Sequence, residues 1–492
     1  MSGRLRSSQL LSQTAGDDWL NRTESRRRKG GLLRTVAADV FETTTSWLVY
    51  AIFAPLAVLN SRIVRRLLLA MLIIDIPLQL TTHLDFQQDA AAVGSLGGFD
   101  ISLTTIALVG LFVSWWTGSL VAPYHRVESP VHISYWPIFY IVFVAMSTLV
   151  ARDFTLSLFE LFLLCQMFLL YIYILSNANS REDVMFALSV LILGLALESL
   201  FIIGMAVVGQ KALVIHLSRH SLIGEGVRSH RIAGTVGSPN LAAGYLSMLL
   251  APAVSVLFTD LGRWYKRLAM LTFGVGVVGL ILTGSRGGWM AFAVAIMTVC
   301  VFMLRGKRLW LGVAIAGNFL LIIGLVFQDV ITARYGQAGM ASAAARLPLI
   351  KLAWQIIKDH PLLGAGANNF TTVAKDYVSH NRIWPEWFFT VHNKYLLVWA
   401  ETGIGGLFAF MGFLMVTMRQ LWKCWKCHDR LLSPLALGFM AGILGMMAHM
   451  LVDVYRGRAV VQAFWLIAAL AAIMQRSAMQ NTSGRVSIVE EI

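Results

Sequence analysis

Residues 184–208 read VMFALSVLILGLALESLFIIGMAVV, an apolar run containing one ionisable side chain, Glu198. As a helix it is long enough to cross the ~30 Å hydrocarbon core of a bilayer. It lacks the period-two alternation of a barrel strand, so its backbone must satisfy its own hydrogen bonds in lipid as a helix. Similar runs recur near 45–60, 66–81, 101–118, 132–150, 155–175, 238–258, 268–283, 289–304, 309–327, 394–418, 434–452 and 459–475. The whole chain is 57% hydrophobic and only 13% charged, with mean hydropathy +0.68, less charged surface than a soluble chain of this length requires. The reading is an all-α, polytopic integral membrane protein.

Charge gives the orientation. The formal net charge of +14 would suggest nucleic acid in a soluble protein, but here short basic loops account for much of it, and no nucleic-acid partner is expected. Arg263/Lys266/Arg267, Arg305/Lys307/Arg308 and Arg419/Lys423/Lys426/Arg430 fall on one side by parity, which is therefore the cytoplasm. Loop 82–100, with no Lys or Arg, then faces outward. Counting every segment as a span would put the basic run Arg26-Arg27-Arg28-Lys29 outside, so the short, Pro55-bearing segment 45–60 reads as re-entrant or interfacial, leaving about twelve spans. The expected organisation is a basic cytoplasmic tail (1–43), ten membrane segments with short loops (44–327), a large outward loop (328–393), C-terminal spans (394–476) and a second cytoplasmic tail (477–492). The N-terminal run reads as a solvated tail near anionic lipid, not a cleavable signal.

The outward side carries basic residues that the orientation bias does not explain. Arg231 precedes Gly237-Ser238-Pro239-Asn240, with Ser238 as a candidate N-cap and Pro239 at the first helical position. The free N–H groups and positive dipole end of such a helix suit a phosphate. The turn Gly284-Ser285-Arg286-Gly287-Gly288 leaves Arg286 little loop in which to reach bulk water, and a bidentate phosphate is a natural partner. In the large loop, residues 345–360 read as an amphipathic helix opened by Arg346. Leu347, Ile350, Ala353, Trp354 and Ile357 form its apolar stripe, for the membrane surface or the protein's own spans, and His360-Pro361 ends it. Trp384, Trp387, Phe388 and Phe389 then precede His392, as an interfacial belt or a surface for sugar faces or an acyl chain. Nearby cations and partial burial lower an imidazole pKa, which suits His392 as a general base; Asp376 and Glu386 are rivals on the same loop.

Together these landmarks resemble the bacterial O-antigen ligase and polymerase family. They are Arg231 ahead of Asn240, the Arg286 turn, and His392-Asn393 followed by Gly403 and Gly406, which is similar to the histidine signature of the ligases. Asp359-His-Pro-Leu-Leu-Gly364-Ala-Gly366 also looks like the family's shared region, and the resemblance covers roughly 100–475. It implies a GT-C-like, inverting, metal-independent glycosyltransferase in the bacterial inner membrane, its site facing the periplasm and needing no cofactor. The donor would be an undecaprenyl-diphosphate-linked glycan; the acceptor would be lipid A core for a ligase, with an O-antigen or exopolysaccharide polymerase or a protein O-oligosaccharyltransferase as alternatives. Arg231 and Arg286, with Arg346 assisting, would hold the diphosphate; Asn240 would belong to the same substrate site, His392 would be the base and Asn393 would orient it.

Two other classes compete. Cys424-Trp425-Lys426-Cys427-His428 spells a c-type haem attachment pattern, but in a basic loop read as cytoplasmic, and it offers only three of the usual four zinc ligands. A lipid-linked glycan transporter would carry charges along a path through its spans. Here those are few: Asp75, Glu160, Glu198 and Glu401, with His449 near a span's end.

Overall fold

The computed structural model describes residues 61–121, 134–208, 231–304, 346–378 and 388–490, with isolated positions at 306, 325, 328 and 332. The chain divides into two compact units, residues 1–65 with 114–123 and residues 66–113 with 124–492. The candidate site belongs wholly to the second. Apolar segments 45–60 and 309–327 lie outside the described residues, as do Trp384, Glu386 and Trp387.

Each of the other eleven apolar segments is a helix. They are α1 (Arg62–Leu78), α2 (Leu103–Val121), α3 (Tyr135–Thr148), α4 (Phe154–Asn177), α5 (Arg181–Val208), α6 (Pro239–Ser255), α7 (Arg263–Leu282) and α8 (Arg286–Met303). After α9 (Arg346–Asp359) come α10 (Lys394–Lys426), α11 (Leu432–His449) and α12 (Arg458–Glu490). Eight of these, α4–α8 and α10–α12, are long and apolar enough to cross a membrane among the described residues; α2 and α3 have shorter apolar stretches. The protein is an all-α, multi-pass membrane protein. Loop 82–100 carries regular structure of its own. Its ends belong to β1 (Thr81–Leu84) and β2 (Phe99–Ser102), paired antiparallel with Thr81 opposite Ser102 and Leu84 opposite Phe99.

Small residues set the packing of α6, α8 and α11. Gly442 lies against the Met248 carbonyl of α6 and Gly445 against the Ala291 carbonyl of α8, so a side chain at either would collide with backbone. Close approach of this kind is how apolar helices associate where lipid removes the hydrophobic drive.

α9 spans the expected residues and stops before His360-Pro361, but it buries a different stripe. Leu349, Leu352, Ala353, Ile356 and Ile357 form a core with Val391, Leu397 and Ala400, whereas Leu347 is 63% and Trp354 45% exposed. The helix is apolar on two adjoining faces, and packing against α10 selects one of them.

The sparse charges of the spans are held in buried pairs and hydrogen bonds. Arg458 NH1 meets Asp75 Oδ2 at 2.7 Å and its Nε meets Asp100 Oδ2 at 3.2 Å, while Thr104 donates its N–H to the same Asp75 oxygen at 2.9 Å. Arg456 pairs with Glu401, and Glu160 lies 3.7 Å away. Glu401 also accepts from the Phe370 N–H at 3.0 Å, and Glu198 accepts from the Thr235 N–H at 3.1 Å. Such pairs hold only while both members and their hydrogen bonds are present.

Candidate functional site

The segment before α6 is pinned from below. Glu198 of α5 takes the N–H and hydroxyl of Thr235, and Gly234, at φ 62°, leaves the room a side chain would deny that carboxylate. Three residues earlier, Arg231 donates from Nε to the Thr283 carbonyl at 3.0 Å and from NH2 to Asn240 Oδ1. Ser285 donates its hydroxyl to the same Asn240 oxygen at 3.0 Å and accepts from the Gly288 N–H as the N-cap of α8. One asparagine thus ties the Arg231 segment, the start of α6 and the Arg286 turn together. Ser238 occupies the N-cap position of α6 with Pro239 next, as expected, but makes no side-chain cap.

Arg286 is the first residue of α8, and Gly287 beside it touches the ring of His449, the last residue of α11. The His449 Nδ1 is hydrogen-bonded to the Tyr455 hydroxyl, and its Nε2 lies 3.9 Å from Asp453 Oδ2. Arg346, at the start of α9, completes the ring electrostatically. Burial pulls its pKa down, Asp453 pushes it up, and Arg286 pulls it down again. Arg231, Arg286 and Arg346, far apart in sequence, therefore belong to one cluster around His449 and Asp453.

His392 reaches the same cluster. Burial lowers its pKa first, Asp453 and a backbone contact with Thr390 oppose, and Arg346 adds to the lowering. Its Nδ1 is buried with no hydrogen-bond partner among the described residues, and its ring lies 5.4 Å from that of Phe389. The lowering favours the neutral imidazole, the form able to take a proton. The turn carrying it is locked to the α11–α12 connection, where the Lys394 N–H donates to the carbonyls of Met450 at 2.9 Å and Asp453 at 3.1 Å. Asn393 spends both ends of its amide on the fold. Its Oδ1 caps α10 through the Leu396 N–H, and its Nδ2 donates to the Leu451 carbonyl at 3.1 Å. Among the rival bases, Asp376 is paired with Arg152 at 2.6 Å.

The glycines of the histidine signature have a structural task. α10 is broken at Gly403 (φ 70°), and the break receives the 361–366 loop: Ile404 N–H donates to Pro361 O, and the N–H groups of Ala365 and Gly366 donate to the carbonyls of Ala400 and Glu401. A side chain at Gly403 would strike the Leu362 carbonyl. This clamp sets where the first turns of α10, and His392 ahead of them, sit.

Sequence reasoning overlooked the short segment 453–458. It supplies Asp453 and Tyr455 to the cluster and Arg456 and Arg458 to the buried pairs. The available signal was one acidic and two basic residues between two closely spaced apolar runs. The Cys424 and Cys427 thiols contact only backbone carbonyls of Leu432 and Lys423 in the recorded hydrogen bonds, and both cysteines are free. Among the described residues, no group of three His, Cys, Asp or Glu side chains is placed to hold a metal ion.

Residues 268–411 match the model of a family described as O-antigen ligase. This stretch of the chain is thus similar to the O-antigen ligase family. Within the matched region lie Arg286, Arg346, His392, Asn393, Gly403 and Gly406; Arg231, Asn240, His449 and Asp453 flank it. The chain is also similar to the teichuronic acid biosynthesis protein TuaE of Bacillus subtilis (strain 168), 23% identical over 279 residues, 52% of this chain and 55% of that one. The chain spans about half the length of that relative.

Proposed function

We propose that this protein is an inverting, metal-independent membrane glycosyltransferase that moves a glycan from undecaprenyl diphosphate to an acceptor hydroxyl. The observation that carries the reading is the convergence of Arg231, Arg286, Arg346 and His392 on Asp453 and His449. The departing diphosphate gains charge as its bond to the anomeric carbon breaks, and cations already in place stabilise that charge without reorganising. Arg231 and Arg286 hold the diphosphate at the positive end of the α8 dipole, with Arg346 closing the far side. Asn240 orients Arg231 and is the natural neighbour of the bound phosphate.

His392 accepts the proton of the acceptor hydroxyl as its oxygen attacks the anomeric carbon from the face opposite the leaving group. Asp453 supports the imidazolium that forms. Asn393 acts on His392 through its cap and its bond to Leu451. The chain lies in the bacterial inner membrane with this site on the periplasmic side, where residues 328–393 form the large loop and membrane lipids surround the spans.

A lipid A core acceptor, as in a ligase, is the first reading. A second, in which another glycan repeat is the acceptor, is supported by the relative named for teichuronic acid biosynthesis. Purified protein in detergent, given one labelled polyprenyl-diphosphate glycan and each acceptor in turn, tests both. Transfer to lipid A core selects ligase, chain extension selects polymerase, and transfer to protein selects protein O-glycosylation. No transfer to any acceptor, with the glycan instead crossing sealed vesicles, would replace the enzyme by a transporter.

A further inference from the structure

His449 lies outside the proposed chemistry, yet its side chain is almost fully enclosed, at 1% exposure. The hydroxyl of Tyr455 has the His449 Nδ1 as its one recorded partner among the described residues. Tyr455 is itself buried and its phenol stays protonated; with Nδ1 as the only acceptor beside it among the described residues, the hydroxyl donates its hydrogen bond there. A neutral imidazole that accepts at Nδ1 carries its hydrogen at Nε2. That nitrogen makes no hydrogen bond among the described residues. Asp453 Oδ2, at 3.9 Å, is beyond hydrogen-bond reach, and the ring edge bearing Nε2 rests on Gly287 at the start of α8. Arg231 and Arg346 both act on this ring electrostatically, so it stands among the cations assigned to the donor.

We infer that His449 is a second catalytic residue, whose Nε2–H donates a hydrogen bond to the leaving diphosphate oxygen, and that Tyr455 is a positioning residue that fixes the required tautomer. The inference rests on the diphosphate-donor reading above. When the carbon–oxygen bond breaks, its electron pair passes to that phosphate oxygen. His449 stabilises the new charge and keeps its proton, while the acceptor's proton goes to His392. The two histidines thus serve opposite ends of the reaction. Gly287 is required because any side chain there would occupy the edge of the ring that faces the donor.

The test compares His449→Phe, His449→Gln and Tyr455→Phe in purified full-length protein, with kcat, KM and binding of the polyprenyl-diphosphate glycan measured separately. Loss of one preorganised donor lowers kcat by about 10²-fold. His449→Phe is expected to do so with donor binding changed little, His449→Gln to recover part of the rate through its amide N–H, and Tyr455→Phe to lower kcat less, with KM held. Wild-type kcat in His449→Phe, or a His449→Gln variant no faster than His449→Phe, would overturn the inference. Should His449→Phe fail to fold, an unchanged kcat in Tyr455→Phe would overturn it and a selective fall would support it. His392→Ala and Arg286→Ala run alongside separate the two readings. If these lose transfer while His449→Phe does not, only the role of His449 falls; if they too are fully active, the underlying reading falls.

Discussion

Arg456 and Arg458 each meet two carboxylates inside the fold, whereas Arg231 is held by a backbone carbonyl and the amide of Asn240. The same guanidinium serves two purposes. Paired with Glu401, Glu160, Asp75 and Asp100, it ties helices together and its charge is balanced at the spot. In Arg231 the guanidinium is fixed in direction by the Thr283 carbonyl and the Asn240 amide oxygen. Arg346 feels the charges of both Arg286 and Asp453, so two of the three site arginines lie close together where the proposed anionic donor would sit.

This contrast breaks most easily at Arg456. Replacing it with Met strands two buried carboxylates, and removing one partner of a buried pair costs about 3–5 kcal/mol. A thermal melt of the purified protein is expected to fall sharply, with activity lost as a consequence. The double variant Arg456→Met with Glu401→Met is expected to recover part of that loss, because it removes one of the two stranded carboxylates while Glu160 stays buried. A melting temperature unchanged by Arg456→Met would show that the pair carries little weight.

Arg286→Met is the counterpart. Its expected effect is a fall in transfer of about 10²–10³-fold with the melt close to wild type, since the change removes transition-state charge stabilisation. Equal losses of stability at Arg286 and Arg456 would erase the distinction between the two sets.

A smaller effect concerns pH. His392 must be neutral to act, and its folded pKa lies below the ordinary imidazole value, so transfer should persist as pH falls through that ordinary value and decline only below it. Asp453 pushes this pKa up, so Asp453→Asn should move the acid limb to lower pH. Arg346 pushes it down, so Arg346→Met should move the limb to higher pH. Shifts of the opposite sign in the pH–rate profile would contradict the arrangement. Smallest of all, Lys351→Ala and Lys358→Ala on the exposed side of α9 should change stability by no more than about 0.5 kcal/mol in a thermal melt.

The membrane helices were legible in the sequence because hydropathy is a local property, and each apolar run such as 184–208 declares itself without reference to the rest of the chain. The meeting of Arg231 with Arg286 was legible in part, through the parity of the basic loops. The buried face of α9 was not. Leu347, Ile350 and Trp354 repeat at helical spacing as regularly as Leu349, Leu352 and Ile356, and only the neighbouring α10 decides between them. The ion pairs of Arg456 and Arg458 escaped for a similar reason, since their partners at 75, 100, 160 and 401 are remote in sequence. Asp453 and Tyr455 escaped because a short connection between spans reads as a plain turn until its contacts with His449 are known. The expectation that Asn393 orients the base takes a specific form: its bonds to Leu396 and Leu451 make a cap that fixes the turn carrying His392.

The central claim is that His392 takes the acceptor's proton while the arginine cluster holds the donor. Its most direct test is the transfer rate of His392→Ala at saturating polyprenyl-diphosphate glycan, with donor binding measured on the same preparation. The expected result is wild-type binding with transfer reduced by about 10²–10⁴-fold, the usual worth of a general base. Full turnover by His392→Ala would contradict it.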